Sequence, residues 1–167
     1  MENNEKLSNF KQKAMKYWPL FCLIITVAIE ALALSLHQES KGHRWMHNFM
    51  GLFLTQFAMF KFFNIKGFAE GFAKYDLLAS RQKVYGVCYP FIEFLIGVGY
   101  LSYFAPWLIY LLTVIVFGFG AVGVIKALRD KLDVRCACMG TVLNVPLSTV
   151  TLAEDIIMFL MALFLLI

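Results

Sequence analysis

Residues Glu93 to Lys126 read EFLIGVGYLSYFAPWLIYLLTVIVFGFGAVGVIK, with no charged side chain between the two ends. About 20 mostly apolar residues, rising 1.5 Å each, cross the roughly 30 Å hydrocarbon core of a bilayer. This stretch is too long for one crossing and long enough for two. Ala105-Pro106 near its middle supplies the break, because a residue before proline avoids helical backbone and proline carries no N–H. The stretch therefore reads as two helices, about 85–104 and 106–126.

The same reading extends to both sides. Upstream, an apolar run from about Trp18 to Leu36 has Glu30 as its only charge. A second runs from about Met46 to Phe63, entered by His47 and left through Lys61. Downstream, Thr151-x-x-Glu154 has the form of a capping box, which predicts that the last helix starts near residue 151. Residues 136–150 would then dip into the protein before it. The alternative starts the helix at Pro146, as a first-turn proline. The fold expected is all-α: a polytopic transmembrane bundle of four to five spans, five preferred. It forms a single domain over 18–167, after a basic cytoplasmic segment over 1–17.

Composition agrees. Hydrophobic residues make up 60% of the 167 residues and charged ones 16%, against about 45–50% and about 25% in soluble domains. A soluble chain this small would leave much of that apolar surface in water. Disordered, nucleic-acid-binding and disulfide-stapled secreted classes are excluded on the same grounds. The net charge of +4 reflects where the basic residues sit around the membrane, not a polyanionic partner.

Lys6, Lys11, Lys13 and Lys16 precede the first span, and Lys66, Lys74, Arg81 and Lys83 lie between the second and third. Lys126, Arg129, Lys131 and Arg135 follow the fourth, whereas Lys41 and Arg44 fall on the other side. The positive-inside rule then places the N-terminus in the cytoplasm and, with five spans, the C-terminus outside. A basic start, an apolar run and Ala31-Leu32-Ala33 also resemble a cleavable signal peptide, but the long polar lead and Glu30 argue against it. Between the second and third spans, Phe68, Phe72, Tyr75 and Ala79 recur at helical spacing, with Lys66, Glu70, Lys74 and Asp76 on the other sides. This predicts an amphipathic helix in the cytoplasmic interface, aromatic side toward the lipid.

All four cysteines fall toward the cytoplasmic side of this topology: Cys22, Cys88, Cys136 and Cys138. That compartment is reducing, so structural disulfides are not expected. Cys136-Ala137-Cys138 sets two sulfurs within reach of one soft ion such as Cu(I), and equally suits reversible thiol exchange. Lys131 and Arg135 nearby favour the reactive thiolate, and Met139 adds a thioether. As lone residues, Cys22 and Cys88 read first as small buried hydrophobes and second as additional ligands. On the external side, His43, His47 and Met50 share one helix face, Met46 pairs with Met50, and His37 is close in sequence. Imidazole and thioether donors at a membrane entrance suit a copper-accepting site; the plain alternative is a polar span end with packed methionines.

Acids inside a membrane are costly and usually have a partner or a role. Glu30 lies in the outer half of the first span. Glu93 follows the helix-bending Tyr89-Pro90, and is expected either to pair with Lys61 or to handle a proton or cation. Glu154 and Asp155 are expected to open the last helix, where the macrodipole favours negative charge. Gly118-Phe119-Gly120-Ala121-Val122-Gly123 matches a dinucleotide fingerprint literally, but lies in an uncharged helix with no preceding strand. It reads instead as small residues that let helices pack closely.

Gly67-Phe68, Phe72, Tyr75, Tyr89-Pro90, Glu93, Gly97 and Leu101 together resemble the core of DoxX-like and MauE-like small membrane proteins. Cys136-Ala137-Cys138-Met139-Gly140 is similar to the cysteine–glycine segment before the last helix of MauE-type members. The resemblance covers about residues 46–167. It implies a helical bundle in the bacterial inner membrane. It also implies either maturation of a disulfide-rich periplasmic amine dehydrogenase, sulfur and quinone redox chemistry, or copper and heavy-metal tolerance. This chain has no periplasmic cysteine under the topology above, which argues against direct oxidation of periplasmic thiols.

The leading expectation is an inner-membrane protein that binds or passes a soft metal ion, most readily Cu(I), and is more readily a non-enzyme. His43, His47, Met46 and Met50 would accept the ion, and Cys136 and Cys138, with Met139, Cys88 and Cys22, would hold it. The alternatives are a thiol–redox membrane factor assisting a disulfide-containing enzyme, or a purely structural subunit. The partners expected are the bilayer, a metal ion, and a second copy or a redox partner protein, with no nucleic acid.

Overall fold

The computed structural model describes residues 2–36, 41–74, 76, 78–129 and 147–167. Among them the chain forms six helices and no strand: α1 (Glu2–Ser35), α2 (Lys41–Phe62), α3 (Ile65–Phe72), α4 (Lys83–Ser102), α5 (Pro106–Arg129) and α6 (Leu147–Leu166). The all-α expectation holds. Val84–Ser102 and Pro106–Lys126 are each long and apolar enough to cross a membrane, while Leu20–Ser35 is apolar but shorter. α1 runs without a break from the basic lead into the first apolar run.

α2 packs against α1 and α4, and α5 packs against α6. α3 lies on α4, and α1 meets α2 alone among the described helices. Apolar side chains point outward as well as inward: Trp18, Ile29, Leu95, Trp107 and Phe164 are all more than half exposed. A bundle in lipid has no need to hide them. Inside, Phe49, Phe53 and Phe57 stack along one face of α2. Trp45 donates its indole N–H to the Ala28 carbonyl at 3.1 Å, joining α2 to α1.

Two close approaches explain why small residues stand where they do. A Cβ at Gly97 of α4 would lie 2.8 Å from the backbone nitrogen of Thr55 on α2, nearer than such atoms come. A Cβ at Gly120 of α5 would lie 3.1 Å from a carboxylate oxygen of Asp155 on α6, and one at Gly118 would lie 3.4 Å from Phe159. The glycine-rich run of α5 is thus a packing surface for α6, as its uncharged setting predicts.

Four expectations change. α6 is already helical at Leu147, so Thr151 and Glu154 lie inside the helix and not at its start. α3 stops at Phe72, well short of Ala79. Its aromatic side also faces protein rather than lipid: Phe68 and Phe72 are buried against Tyr89 of α4, Phe68 stacked on its ring and Phe72 tilted to it. Asp76, expected on a polar side, is buried, and its carboxylate accepts the N–H groups of Leu78 and Ala79 at 2.9 and 2.8 Å. A helical period sorts apolar from polar faces, but does not say whether lipid or a neighbouring helix covers the apolar one.

Candidate functional site

Two buried polar clusters lie in the bundle. The first is the corner where α2 ends. Lys61 sits in the last turn of α2, 4% exposed, and reaches into α4 to donate to the Glu93 carboxylate oxygen Oε2. Its ammonium lies over two ring faces, 5.4 Å from the centre of Phe68 and 5.3 Å from that of Tyr89. Ring faces carry negative potential, so this box holds a cation without water. Glu93 is fully buried, at 0% exposure, and its other oxygen, Oε1, has no hydrogen-bond partner among the described residues. One turn earlier, Pro90 offers no N–H to the Gly86 carbonyl, which loosens the ladder on the same helix face. Of the two readings for Glu93, the pairing with Lys61 is the one the fold builds.

The second cluster closes the opposite end of α2. His47 is 1% exposed, and its Nε2 lies 2.6 Å from the Tyr100 carbonyl. Since a carbonyl only accepts, Nε2 carries the proton, and Nδ1 then accepts the Tyr110 hydroxyl at 2.8 Å. Tyr103 stacks on the imidazole with ring centres 4.3 Å apart and donates to Asn48 Oδ1 at 2.6 Å. Asn48 donates onward to Ser35 of α1 at 3.1 Å, and Tyr100 donates to Thr113 of α5 at 3.1 Å.

This network holds a strained corner between α4 and α5. Tyr103 and Ala105 have φ of 54° and 43°, left-handed values that cost a side-chain-bearing residue about 1–3 kcal/mol. Tyr103 stays there because its ring and its hydroxyl are both engaged, and the Arg44 guanidinium lies over the ring, 5.0 Å from its centre. The Tyr100 carbonyl at the end of α4, which has no helical donor, is satisfied by His47 and by the Tyr103 N–H.

The expected external metal set is not brought together. His43 is exposed, Met46 is half-buried, and Met50 is fully buried in the core. His47 has no lone pair to offer, because one ring nitrogen is protonated and the other is occupied by Tyr110. Among the described residues, no three His, Cys, Asp or Glu side chains gather as metal ligands would. Cys22 and Cys88 are free thiols exposed on α1 and α4, not small buried hydrophobes. Lipid contact satisfies a thiol as well as a protein core does.

Glu30 is exposed on α1 and accepts from Gln56 Nε2 at 3.1 Å. Glu154 is half-buried and Asp155 buried within α6, so neither serves as the N-terminal acid expected of it. Cys136, Cys138, Met139 and His37 lie outside the described residues. Sequence reasoning missed Ser35, Asn48, Tyr100, Tyr103, Tyr110 and Thr113. The signal was present in Tyr110 and Thr113, polar atoms one turn apart in an otherwise apolar helix.

The family model described as methylamine utilisation protein MauE matches residues 39–167. That match supports the MauE-like side of the resemblance and not the DoxX-like side. No curated protein and no solved structure matches the chain.

Proposed function

This chain belongs to the MauE family, and from that premise we propose a membrane factor of methylamine utilisation that exchanges thiols with a disulfide-containing partner enzyme during its maturation. The family match carries the proposal. It spans residues 39–167, which include Cys88, Cys136 and Cys138, and a family of methylamine utilisation is compatible with a maturation role. The copper reading loses its external ligand set and rests on Cys136 and Cys138 alone.

We place the chain in the bacterial inner membrane with five crossings and a cytoplasmic N-terminus. The positive-inside pattern supports the orientation. The fifth crossing is supported by the 20 residues of α6, enough to span the hydrocarbon core.

In the exchange, the Cys136 thiolate attacks one sulfur of a partner disulfide. A bond forms between the chains, and the partner's other sulfur leaves as thiolate and takes up a proton. The Cys138 thiolate then attacks Cys136 and releases the partner's second sulfur, which is protonated in turn. Two electrons pass to the partner, and this chain keeps a Cys136–Cys138 disulfide. A ring closed across one residue is strained, so the exchange is drawn forward by a dithiol protein on the same side that reduces this ring and restores the Cys136 and Cys138 thiols.

Trapping tests the reading. Cys138→Ser leaves the attacking thiol without its resolving partner and should accumulate a mixed disulfide, whereas Cys136→Ser should not. Failure of both variants to trap any partner in cells using methylamine would overturn the exchange. Anaerobic Cu(I) binding that is lost in the Cys136→Ser/Cys138→Ser variant would return the assignment to a soft-metal site.

A further inference from the structure

We infer that the outer face of α1, with the Glu30–Gln56 pair at its edge, is the contact surface for a second copy of this chain. The inference rests on α1 being one of the proposed crossings. Glu30 stands within the apolar run from Trp18 to Leu36, about 9 Å before its outer end at 1.5 Å per residue. It is nevertheless exposed, and Gln56 is the hydrogen-bond partner it has among the described residues. A carboxyl at that depth belongs against protein, because lipid offers it no donor.

What covers it follows from the pattern around it. Cys22, Thr26, Ile29, Ala33 and Leu36 are all exposed and recur with the four-three spacing of a two-helix seam. Small residues at three of those positions allow close approach. The opposite face of α1, with Val27, Ala31 and Ser35, is already buried on α2. Glu30 follows Ile29 and so takes the flanking position, where polar contacts between paired helices form.

The pair is self-complementary. Glu30 has an oxygen to offer, and the Gln56 amide has a second N–H beyond the one given to Oε2. Two copies related by a two-fold axis along the membrane normal hold identical residues at identical depth. Each Gln56 can then donate across to the other copy's Glu30, and each seam residue meets its own kind.

The experiment uses the full chain in native membranes, with the four cysteines replaced by serine and one cysteine added back at a time. Ile29→Cys and Ala33→Cys should cross-link between copies, and Leu34→Cys, exposed but off the seam, should not. Glu30→Leu and Gln56→Leu, read in the Ile29→Cys background, should weaken dimerisation about 8- to 300-fold, the value of the two symmetry-related interhelical hydrogen bonds. Glu30→Gln should retain it, because an amide still donates and accepts. Equal cross-linking at Ile29→Cys and Leu34→Cys, or no loss with Glu30→Leu, would overturn the dimer. Alkaline extraction checks that each variant stays inserted. Labelling of Ile29→Cys by a membrane-impermeant maleimide in sealed vesicles would overturn the α1 crossing, whatever the cross-links show.

Discussion

Replacing Lys61 with methionine keeps the length and packing of the side chain and removes only the charge. In the folded protein this deletes the donor to Glu93 Oε2 and the cation over the Phe68 and Tyr89 rings. It leaves a fully buried carboxylate with neither oxygen partnered, since Oε1 has no partner among the described residues even now. Stranding one member of a buried pair costs about 3–5 kcal/mol. The reverse variant, Glu93→Leu, strands the ammonium but leaves it between two ring faces, which return about 1–2 kcal/mol. It should fall at the lower end of the same range. The double variant Lys61→Met/Glu93→Leu removes both charges together. It should lie near the parent or up to about 4 kcal/mol above it, as apolar replacement of buried pairs commonly does. Reversible unfolding in mixed micelles, followed by helical circular dichroism, reads all three stabilities. The cycle should show coupling of at least about 3 kcal/mol, well beyond the scatter of independent sites. Additive losses, or a Lys61→Met cost below about 1 kcal/mol, would refute the view that this corner is a dry, mutually dependent pair.

Three further outcomes follow from the packing. His47→Phe keeps the ring stack on Tyr103 but strands the Tyr110 hydroxyl and removes a donor from the Tyr100 carbonyl. It should cost about 2–4 kcal/mol in the same unfolding assay, at about 1–3 kcal/mol per unmade bond. Gly97→Ala forces a methyl group against the Thr55 backbone and should cost about 1–3 kcal/mol, whereas Gly118→Ala, with a side chain to yield at 3.4 Å, should cost less. Asp76→Ala loses both backbone bonds and should cost about 1–2 kcal/mol, while Asp76→Asn keeps an accepting oxygen and should cost about half that or less. Burial pushes the Asp76 carboxyl above its ordinary 3.8, against the opposing pull of the Ala79 and Leu78 N–H groups. The folded chain therefore holds that proton to higher pH than the unfolded chain. The matching stability is present in acid and lost as pH rises through the folded value. A pH series on the parent and Asp76→Asn should show this slope in the parent only.

Length, apolarity and the placement of prolines suffice to read an all-α membrane chain, the break at Ala105-Pro106 and the packing role of the α5 glycines. These are local properties. A bilayer demands a minimum apolar length, and proline's fixed φ suits a helix start, as at Pro106 of α5. The pairing of Lys61 with Glu93 was legible for a similar reason, since two opposite charges near one depth in lipid have few other partners.

What the sequence alone could not decide was which face meets which neighbour. His43, His47 and Met50 share a helix face by spacing, yet the bundle buries His47 and Met50 and leaves His43 outside. Spacing fixes an angle around one axis; the second helix that takes the imidazole's lone pair comes from far along the chain. The His47–Tyr110 and Tyr103–Asn48 bonds join residues more than 50 positions apart, so no local pattern announces them. The α3 aromatics show the same limit, because their amphipathic face is equally suited to lipid and to Tyr89. The sequence determined where the helices are and that they live in a membrane. Which polar groups are spent on holding the bundle together is set by its three-dimensional packing, because that depends on contacts between segments that are remote in the chain.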